Sequence, residues 1–228
     1  STRPDLACAC SEIAGTRTVK ALKLCNKALA VAKQHKHTSL HYRYLNGEDQ
    51  TLRIWSDASW ANMPRLRSQQ GAMLVMTSNK LLKNTTDTWC TGNVLHWKSS
   101  RIKRVVRSTF AAELLSGLDA VDMGIYSRLF VQRWYNTRPA LYWYSDCASL
   151  TSNLRTVNIH VAEKRLILDV EAMKEHLEDK MLTSSAWCPT EIQYGDALTK
   201  VMDAPVLYEA LKNGQWKVMT TLTKRTNK

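Results

Sequence analysis

The stretch Thr51-Leu-Arg-Ile-Trp-Ser-Asp57 has a side-chain period of two, which is typical of a β-strand, and it ends on an aspartate. A second apolar strand, residues 141–145, ends in the same way, because Asp146 follows it directly. If the two strands are parallel neighbours, their carboxylates lie about one strand spacing apart, roughly 5 Å. Like charges at that distance repel unless protons or cations lie between them, so the pair indicates a divalent metal site. The alternative is that each aspartate only caps the turn that follows it.

Around these two strands, the pattern predicts three strands, a helix, a strand, helices, a strand and a final helix. The other strands are predicted at 71–77, 94–98 and 182–187, with a long polar hairpin excursion over 78–92. Ser108 is predicted to cap the clearest helix, whose apolar stripe is Phe110, Leu114, Leu118, Val121, Ile125 and Leu129. Further helices are predicted at 148–154, along 166–177 and at 205–213. Strands that first pair as a meander and are later separated by helices imply a mixed sheet covered by helices.

The composition limits the class of protein. The 228 residues carry 32 Lys+Arg against 20 Asp+Glu, a net charge of +12, and 44% of them are hydrophobic. The excess positive charge favours a polyanion such as nucleic acid, or else a solvated basic face. Six dispersed cysteines without a C-x2-C pair indicate reduced thiols inside a cell and argue against a zinc ribbon. No apolar run approaches the roughly 18 to 20 residues of a membrane span, so we expect no membrane partner.

The N-terminal part precedes this pattern. Residues 1–36 are predicted to be helical, with Leu22, Cys25, Leu29 and Ala32 on one face. A polar linker follows over 35–49. The chain begins with neither an initiator Met nor a secretory apolar core, so we expect a piece of a longer precursor without a secretion signal.

Two further acids and one basic run are candidates for function. Glu113 lies on the edge of the predicted helix that meets the sheet, although an exposed helix acid is the simpler interpretation. Asp196 follows the last strand, where alone it would be a helix N-cap. The run from Lys98 to Arg107 has five cations and no acid, which suits substrate phosphates better than a solvated loop.

Five blocks in this order resemble the ribonuclease H domain of copia-type (Pseudoviridae) LTR retrotransposon Pol polyproteins. They are Ser-Asp-Ala-Ser-Trp-Ala (56–61), Leu-His-Trp-Lys-Ser-Ser (95–100), Arg-Ser-Thr-Phe-Ala-Ala-Glu (107–113), Tyr-Ser-Asp-Cys-Ala-Ser (144–149) and Asp-Ala-Leu-Thr-Lys (196–200). The opening Thr-Arg-Pro-Asp-Leu (2–6) resembles the end of the preceding reverse transcriptase. The resemblance implies a ribonuclease H-like α/β fold: a five-stranded mixed sheet, with an antiparallel meander and then two parallel strands, flanked by helices and preceded by a helical segment. The implied division is a helical tail and linker over 1–45, the ribonuclease H-like domain over 46–216 and a disordered basic tail over 217–228.

The resemblance also implies the chemistry. Asp57, Glu113, Asp146 and Asp196 would hold two Mg2+ ions, which Mn2+ can replace, and the RNA strand of RNA/DNA hybrids would be cut endonucleolytically during reverse transcription. Asp57 would bridge the ions, Asp196 would hold the one that activates water, and Glu113 and Asp146 the one at the leaving group. His160 is the nearest match to a loop histidine that aids product release in related enzymes. The predicted substrate contacts are Lys98, Ser99, Ser100, Arg101, Lys103, Arg104, Ser149 and Asn153.

Context and alternatives follow from the same resemblance. It implies the reverse transcriptase of the same polyprotein as a partner, and a cytoplasmic location within virus-like particles. Cys147 stands where the family usually has Asn, which removes a polar contact to the hybrid. The main alternative is a decayed or co-opted module that binds hybrid or RNA without cleaving it. An integrase-like transferase shares the fold class, but the position of Glu as the second acid and the closing Asp-Ala-Leu-Thr-Lys block argue against it.

Overall fold

The computed structural model describes residues 3–15, 17–46, 49–63, 66–82, 88–156 and 163–219. Within them, one mixed sheet has the strand order β5-β4-β1-β2-β3-β6. The strands are β1 (Gln50–Met63), β2 (Arg67–Leu82), β3 (Trp89–Arg101), β4 (Ala140–Ser145), β5 (Ser184–Trp187) and β6 (Gln215–Lys217). The helices are α1 (Ala7–Ala14), α2 (Val19–Gln34), α3 (Thr109–Tyr135), α4 (Ala148–Asn153), α5 (Arg165–Glu178), α6 (Asp196–Thr199) and α7 (Pro205–Asn213), with short 3-10 turns at Pro4–Leu6 and Thr190–Ile192.

The strand directions confirm the predicted α/β fold. β1, β2 and β3 form an antiparallel meander, and β4 and β5 then add to β1 in parallel. The count of five strands was one short, because β6 pairs antiparallel with β3. A three-residue strand directly after Gly214 is too short to show an alternating pattern. β6 runs through Lys217, one residue past the boundary drawn at 216, and the tail from 220 onward lies outside the described residues.

The hairpin between β2 and β3 is shorter than the sequence predicted. The ladder continues from the Thr77 and Gly92 pair to the Leu82 and Trp89 pair, within the stretch expected to be an excursion. At the other end, polar side chains extend both strands, since Gln69 donates to Ser99 at 2.9 Å. These strand ends consist of polar residues, so no apolar run marks them in the sequence. The cross-strand hydrogen bonds that hold them form only when the two strands pair.

Helix α3 begins where the sequence predicted, and most of its predicted apolar stripe packs in or against the core, with Leu114 and Val121 fully buried. Ser108 caps it by accepting a hydrogen bond from the backbone N of Ala111 at 3.1 Å. Its buried residues include Gly117, which packs so close to Trp143 that a Cβ would lie 2.8 Å from the ring. Leu129, expected on the apolar stripe, is 56% exposed. The small residues set the contact face because they let the helix approach the strands.

Two hydrophobic cores lie on opposite faces of the sheet. One, under α3 and α5, includes Ile54, Leu74, Leu114, Val121, Leu141, Trp143, Val170 and Met173. The other, under α6 and α7, includes Trp55, Met73, Val75, Tyr144, Tyr194, Leu198, Leu207 and Trp216. β1 is therefore buried on both sides along its first ten residues, which places Asp57 near the centre of the sheet.

The predicted N-terminal helix is two helices, α1 and α2. α2 begins after Thr18, which accepts a hydrogen bond from the backbone N of Ala21 at 3.2 Å. The predicted apolar face was wrong in part: Leu22 is 63% and Leu29 is 53% exposed, and Ala21 is the buried residue of α2. A short alanine side chain lets the helix backbone lie closer than a leucine would. Among the described residues, no helix has the length and apolar character to cross a membrane. The domain boundary at 45 stays a prediction.

Candidate active site

The parallel pairing of β1 and β4 brings the first pair of acids together. Trp55 of β1 is in parallel register with Tyr144 of β4, so Asp57 and Asp146 follow at equivalent positions two residues later. The prediction that the first strand stops at Asp57 was wrong, because pairing with β2 continues β1 to Met63, whereas β4 ends at Ser145, directly before Asp146. The two aspartates still lie next to each other, as the sequence predicted. Asp57 is 2% exposed, and Asp146 is partly buried.

Helix α6 brings the third acid, Asp196, onto the same edge. Two glycines permit this approach. A Cβ at Gly71, the β2 partner of Asp57, would lie 2.6 Å from the Leu198 side chain, and a Cβ at Gly195 would lie 2.9 Å from the backbone N of Asp57. As a result, one carboxylate oxygen from each of Asp57, Asp146 and Asp196 lies within 4.8 Å of the other two.

Glu113 reaches the cluster from the other face of the sheet, from α3. Its Oε1 accepts a hydrogen bond from the backbone N of Ala58 at 3.2 Å, directly after Asp57. Its Oε2 is buried and has no hydrogen-bond partner within the described residues. Burial, with the charges of Asp57 and Asp146, raises the pKa of Glu113 to about 9. A buried acceptor without a donor is costly, so this oxygen is suited to a cation that the protein itself does not supply.

Burial and neighbouring negative charge also raise the pKa values of the aspartates in the cluster. Burial and the neighbouring Asp196 raise the pKa of Asp57 to about 6, and burial and Asp196 also raise the pKa of Asp146. Thr199 donates a hydrogen bond to Asp57 Oδ2. Lys200 Nζ pairs with Asp196 Oδ1 and lies 3.7 Å from Asp57 Oδ2. One lysine therefore faces four carboxylates, and the oxygen donors fit hard divalent cations.

Several positioning residues were missed in the sequence. Lys200 has a visible signal, since it lies four residues after Asp196 in a helical turn. Gln193 donates to the carbonyl of Ser56 at 3.0 Å and accepts from the backbone N of Gly195 at 3.1 Å, so it ties the loop before α6 to β1. Ser116 of α3 donates to the carbonyl of Asp57 at 2.7 Å. Neither Gln193 nor Ser116 has a local sequence signal, because both contacts join distant segments.

The predicted substrate residues of β3 are already engaged within the protein. Lys98 pairs with Asp119 at 2.6 Å. Ser99 donates to the carbonyl of Leu198 at 2.6 Å, which ties β3 to α6. Ser100 accepts from Gln70 at 3.3 Å. These side chains therefore support the site, and the binding role predicted for them stays a prediction.

The remaining predicted contacts differ in exposure. Arg104 pairs with Asp169 at 3.4 Å, whereas Lys103 is exposed. The Arg101 guanidinium lies against Gly15, where any side chain would collide with it.

On α4, Asn153 donates to the carbonyl of Ser149 at 2.9 Å, and the Ser149 hydroxyl is exposed beside Cys147. The loop histidine prediction, His160, lies outside the described residues.

No protein-family model and no curated protein matches this chain. It is similar in structure to LC11-RNase H1, isolated from compost by a metagenomic approach, at 17% identity and a TM-score of 0.45, over 72% of this chain and 96% of that one. It is similar to LC11-RNase H1 in complex with RNA/DNA hybrid at 14% identity and a TM-score of 0.42, over 65% of this chain and 93% of that one. A further likeness is to the prototype foamy virus protease-reverse transcriptase, at 12% identity and a TM-score of 0.38, over 73% of this chain and 20% of that one. Identities and TM-scores this low do not establish an activity for this chain.

Proposed function

We propose that this chain is a ribonuclease H that hydrolyses the RNA strand of RNA/DNA hybrids endonucleolytically with divalent metal. The observation that carries the proposal is the convergence of the Asp57, Asp146 and Asp196 carboxylates within 4.8 Å, with the Glu113 carboxylate buried beside Asp57. The five sequence blocks that resemble copia-type ribonucleases H contain all four acids. A purely structural role would not explain four acids gathered at one buried edge of a protein whose net charge is +12.

The four acids are the groups that would hold the metal, and Mg2+, with Mn2+ as a substitute, is the expected ion because it prefers carboxylate oxygens. Two such ions activate a water molecule and stabilise the leaving 3′ oxygen of a phosphodiester. Four carboxylates carry four negative charges, which match two divalent ions. The protein's own contribution is to hold the acids in place. Thr199 orients Asp57, and Ser116 and Gln193 fix the strand backbone around it.

The biological setting is a further part of the proposal, and it rests on the sequence blocks. The domain would act within the Pol polyprotein of a copia-type retrotransposon, beside its reverse transcriptase, in cytoplasmic virus-like particles. RNA strands in a hybrid are recognised by helix shape and by the 2′-OH, so cleavage is expected to be largely independent of sequence.

Cleavage of a labelled hybrid tests the activity. The full chain is incubated with a hybrid labelled at the 5′ end of the RNA, with Mg2+ or with chelator, alongside Asp57→Asn and the control Asp122→Asn, an exposed acid of α3. We expect internal RNA cuts by the wild type and by Asp122→Asn, an intact DNA strand, and no cuts by Asp57→Asn or in chelator. Equal cleavage by Asp57→Asn would contradict the proposed site. Hybrid binding without cleavage by the wild type would support the non-cleaving module instead.

A further inference from the structure

Helix α2 lies within the longest stretch of the sequence that contains no acid. Residues 17–46 contain seven Lys and Arg and no Asp or Glu, which is more than half of the net charge of +12. Three of the lysines, Lys20, Lys23 and Lys27, are spaced i, i+3 and i+7, so they share one side of the helix. All three are exposed. We call these three side chains the α2 lysine face.

The α2 lysine face has no acidic partner within the described part of the chain. None of its three ammonium groups forms an ion pair there, whereas Lys98 and Arg104 of the basic run pair with Asp119 and Asp169. An unpaired basic face keeps its full attraction for a polyanion, whereas a paired cation must first lose its partner.

The segment that precedes α2 packs against the ends of β2 and β3 that flank the acid cluster. Gly15, four residues before α2, packs against Arg101 at the end of β3, and Ser11 of α1 accepts a hydrogen bond from Gln69 of β2 at 3.0 Å. Across the strands, Asp57 is opposite Gly71, and Gly71 is opposite Ser99. Asp57 and Ser99 are therefore two strand spacings apart, roughly 10 Å, and Arg101 follows Ser99 by two residues on β3. A duplex rises about 3.4 Å per base pair, so a hybrid bound at the acid cluster extends beyond β3.

We propose that the α2 lysine face binds the phosphate backbone of the hybrid substrate away from the cleaved bond. The inference rests on the proposed function for the identity of its ligand. Lys20 and Lys27 are seven residues apart, roughly 10 Å along the helix, which corresponds to about three base-pair steps. Such contacts set affinity and position and carry no sequence information. They also provide the attraction for phosphate that the paired cations of the basic run do not.

Hybrid binding under non-cleaving conditions tests the inference. The dissociation constant of the full chain for a fluorescent RNA/DNA hybrid is measured in chelator between about 50 and about 200 mM salt. The variant Lys20→Gln/Lys23→Gln/Lys27→Gln is compared with Arg133→Gln/Arg138→Gln/Lys180→Gln, which removes three exposed cations near the end of α3 and the start of β4. We expect the α2 variant to bind about tenfold more weakly and the slope of log affinity against log salt to fall by about 2 to 3. The control is expected to change affinity by less than about twofold.

A second variant tests whether weaker binding comes from a folding defect and not from the loss of charge. Lys20→Arg/Lys23→Arg/Lys27→Arg keeps the charge and is expected to bind as the wild type does. Equal weakening by the α2 and control variants would overturn the inference, and so would a wild type that does not bind hybrid. Salt-sensitive binding through α2 in a protein that does not cleave would overturn the proposed activity and leave this inference standing.

Discussion

The acid cluster and the α2 lysine face both concentrate charge of one sign, yet they are built in opposite ways. The four acids come from β1, α3, the end of β4 and α6, and Asp57, Glu113 and Asp196 are each less than 10% exposed. The three lysines come from two turns of one exposed helix. Buried like charges are unfavourable without counter-ions, whereas exposed ones are screened by water and salt. We therefore expect the acid cluster, which only the complete fold assembles, to determine the rate of cleavage. We expect the α2 lysine face, which a single helix presents, to determine the affinity for the hybrid.

The largest expected effect is on catalysis, at Glu113. Glu113→Gln removes one of the carboxylates proposed to hold metal and keeps the hydrogen bond from Ala58, so kcat should fall by about a hundredfold to a thousandfold while the salt dependence of binding stays unchanged. Steady-state cleavage at saturating hybrid measures this, with Asp122→Asn on the same helix as the control. A variant that keeps more than about a tenth of the rate would remove Glu113 from the site.

The next effect concerns how α6 approaches β1. Gly195→Ala places a Cβ against the backbone N of Asp57 and should displace Asp196, with a loss of about 1–3 kcal/mol of unfolding free energy and most of the activity. The matched control is Gly117→Ala, whose Cβ would meet only the Trp143 ring. Both variants are melted thermally and assayed. If the two lose activity in proportion to stability, the close approach at Gly195 has no special role.

The third prediction is that the acid cluster makes the stability of the protein depend on pH, whereas the α2 lysine face does not. In metal-free protein, the folded-state pKa values of Glu113, about 9, and Asp57, about 6, lie above ordinary carboxyl values. The unfolded chain then ionises first, so stability is fully present below about pH 4 and falls as the pH rises towards these values. In chelator, Tm should be several degrees lower at pH 8 than at pH 5.5, since each kcal/mol of lost stability lowers Tm by about 2–4 °C. Added Mg2+ should raise Tm at pH 8 again. Glu113→Gln should flatten the slope, and the α2 variant should not. A flat wild-type profile would contradict the burial of these charges.

The smallest effect is expected in the basic run. Lys98→Gln/Arg104→Gln removes cations that Asp119 and Asp169 already neutralise, so hybrid affinity should change by less than about threefold. Titration of the same labelled hybrid at one salt concentration measures it. If Lys98→Gln/Arg104→Gln binds the hybrid more weakly than the α2 triple variant does, the basic run and not α2 is the main source of affinity.

Local signals in the sequence predicted much of the fold and part of the site. Asp57 and Asp146 each follow an alternating or apolar run, in β1 and β4, and the hydroxyl of Ser108 caps α3, so these features depend on neighbours in the chain. The contact of Thr199 with Asp57 spans 142 residues, and a short helix gives no pattern from which to predict it. The face of α2 was misjudged because leucine periodicity predicts burial only where a partner surface is present. The binding roles predicted for the eight substrate residues from their charge or polarity, and the role that the resemblance implies for His160, stay predictions.

Metal binding by the four acids is the central claim, and a crystal of the full chain soaked in Mn2+ tests it most directly. Anomalous diffraction locates Mn2+ independently of the surrounding density. We predict an anomalous peak bound to the carboxylate of Asp57 and to carboxylates of Asp146, Asp196 or Glu113, with no such peak in Asp57→Asn crystals. Wild-type crystals without a peak at these residues, with Lys200 still paired to Asp196, would contradict the account.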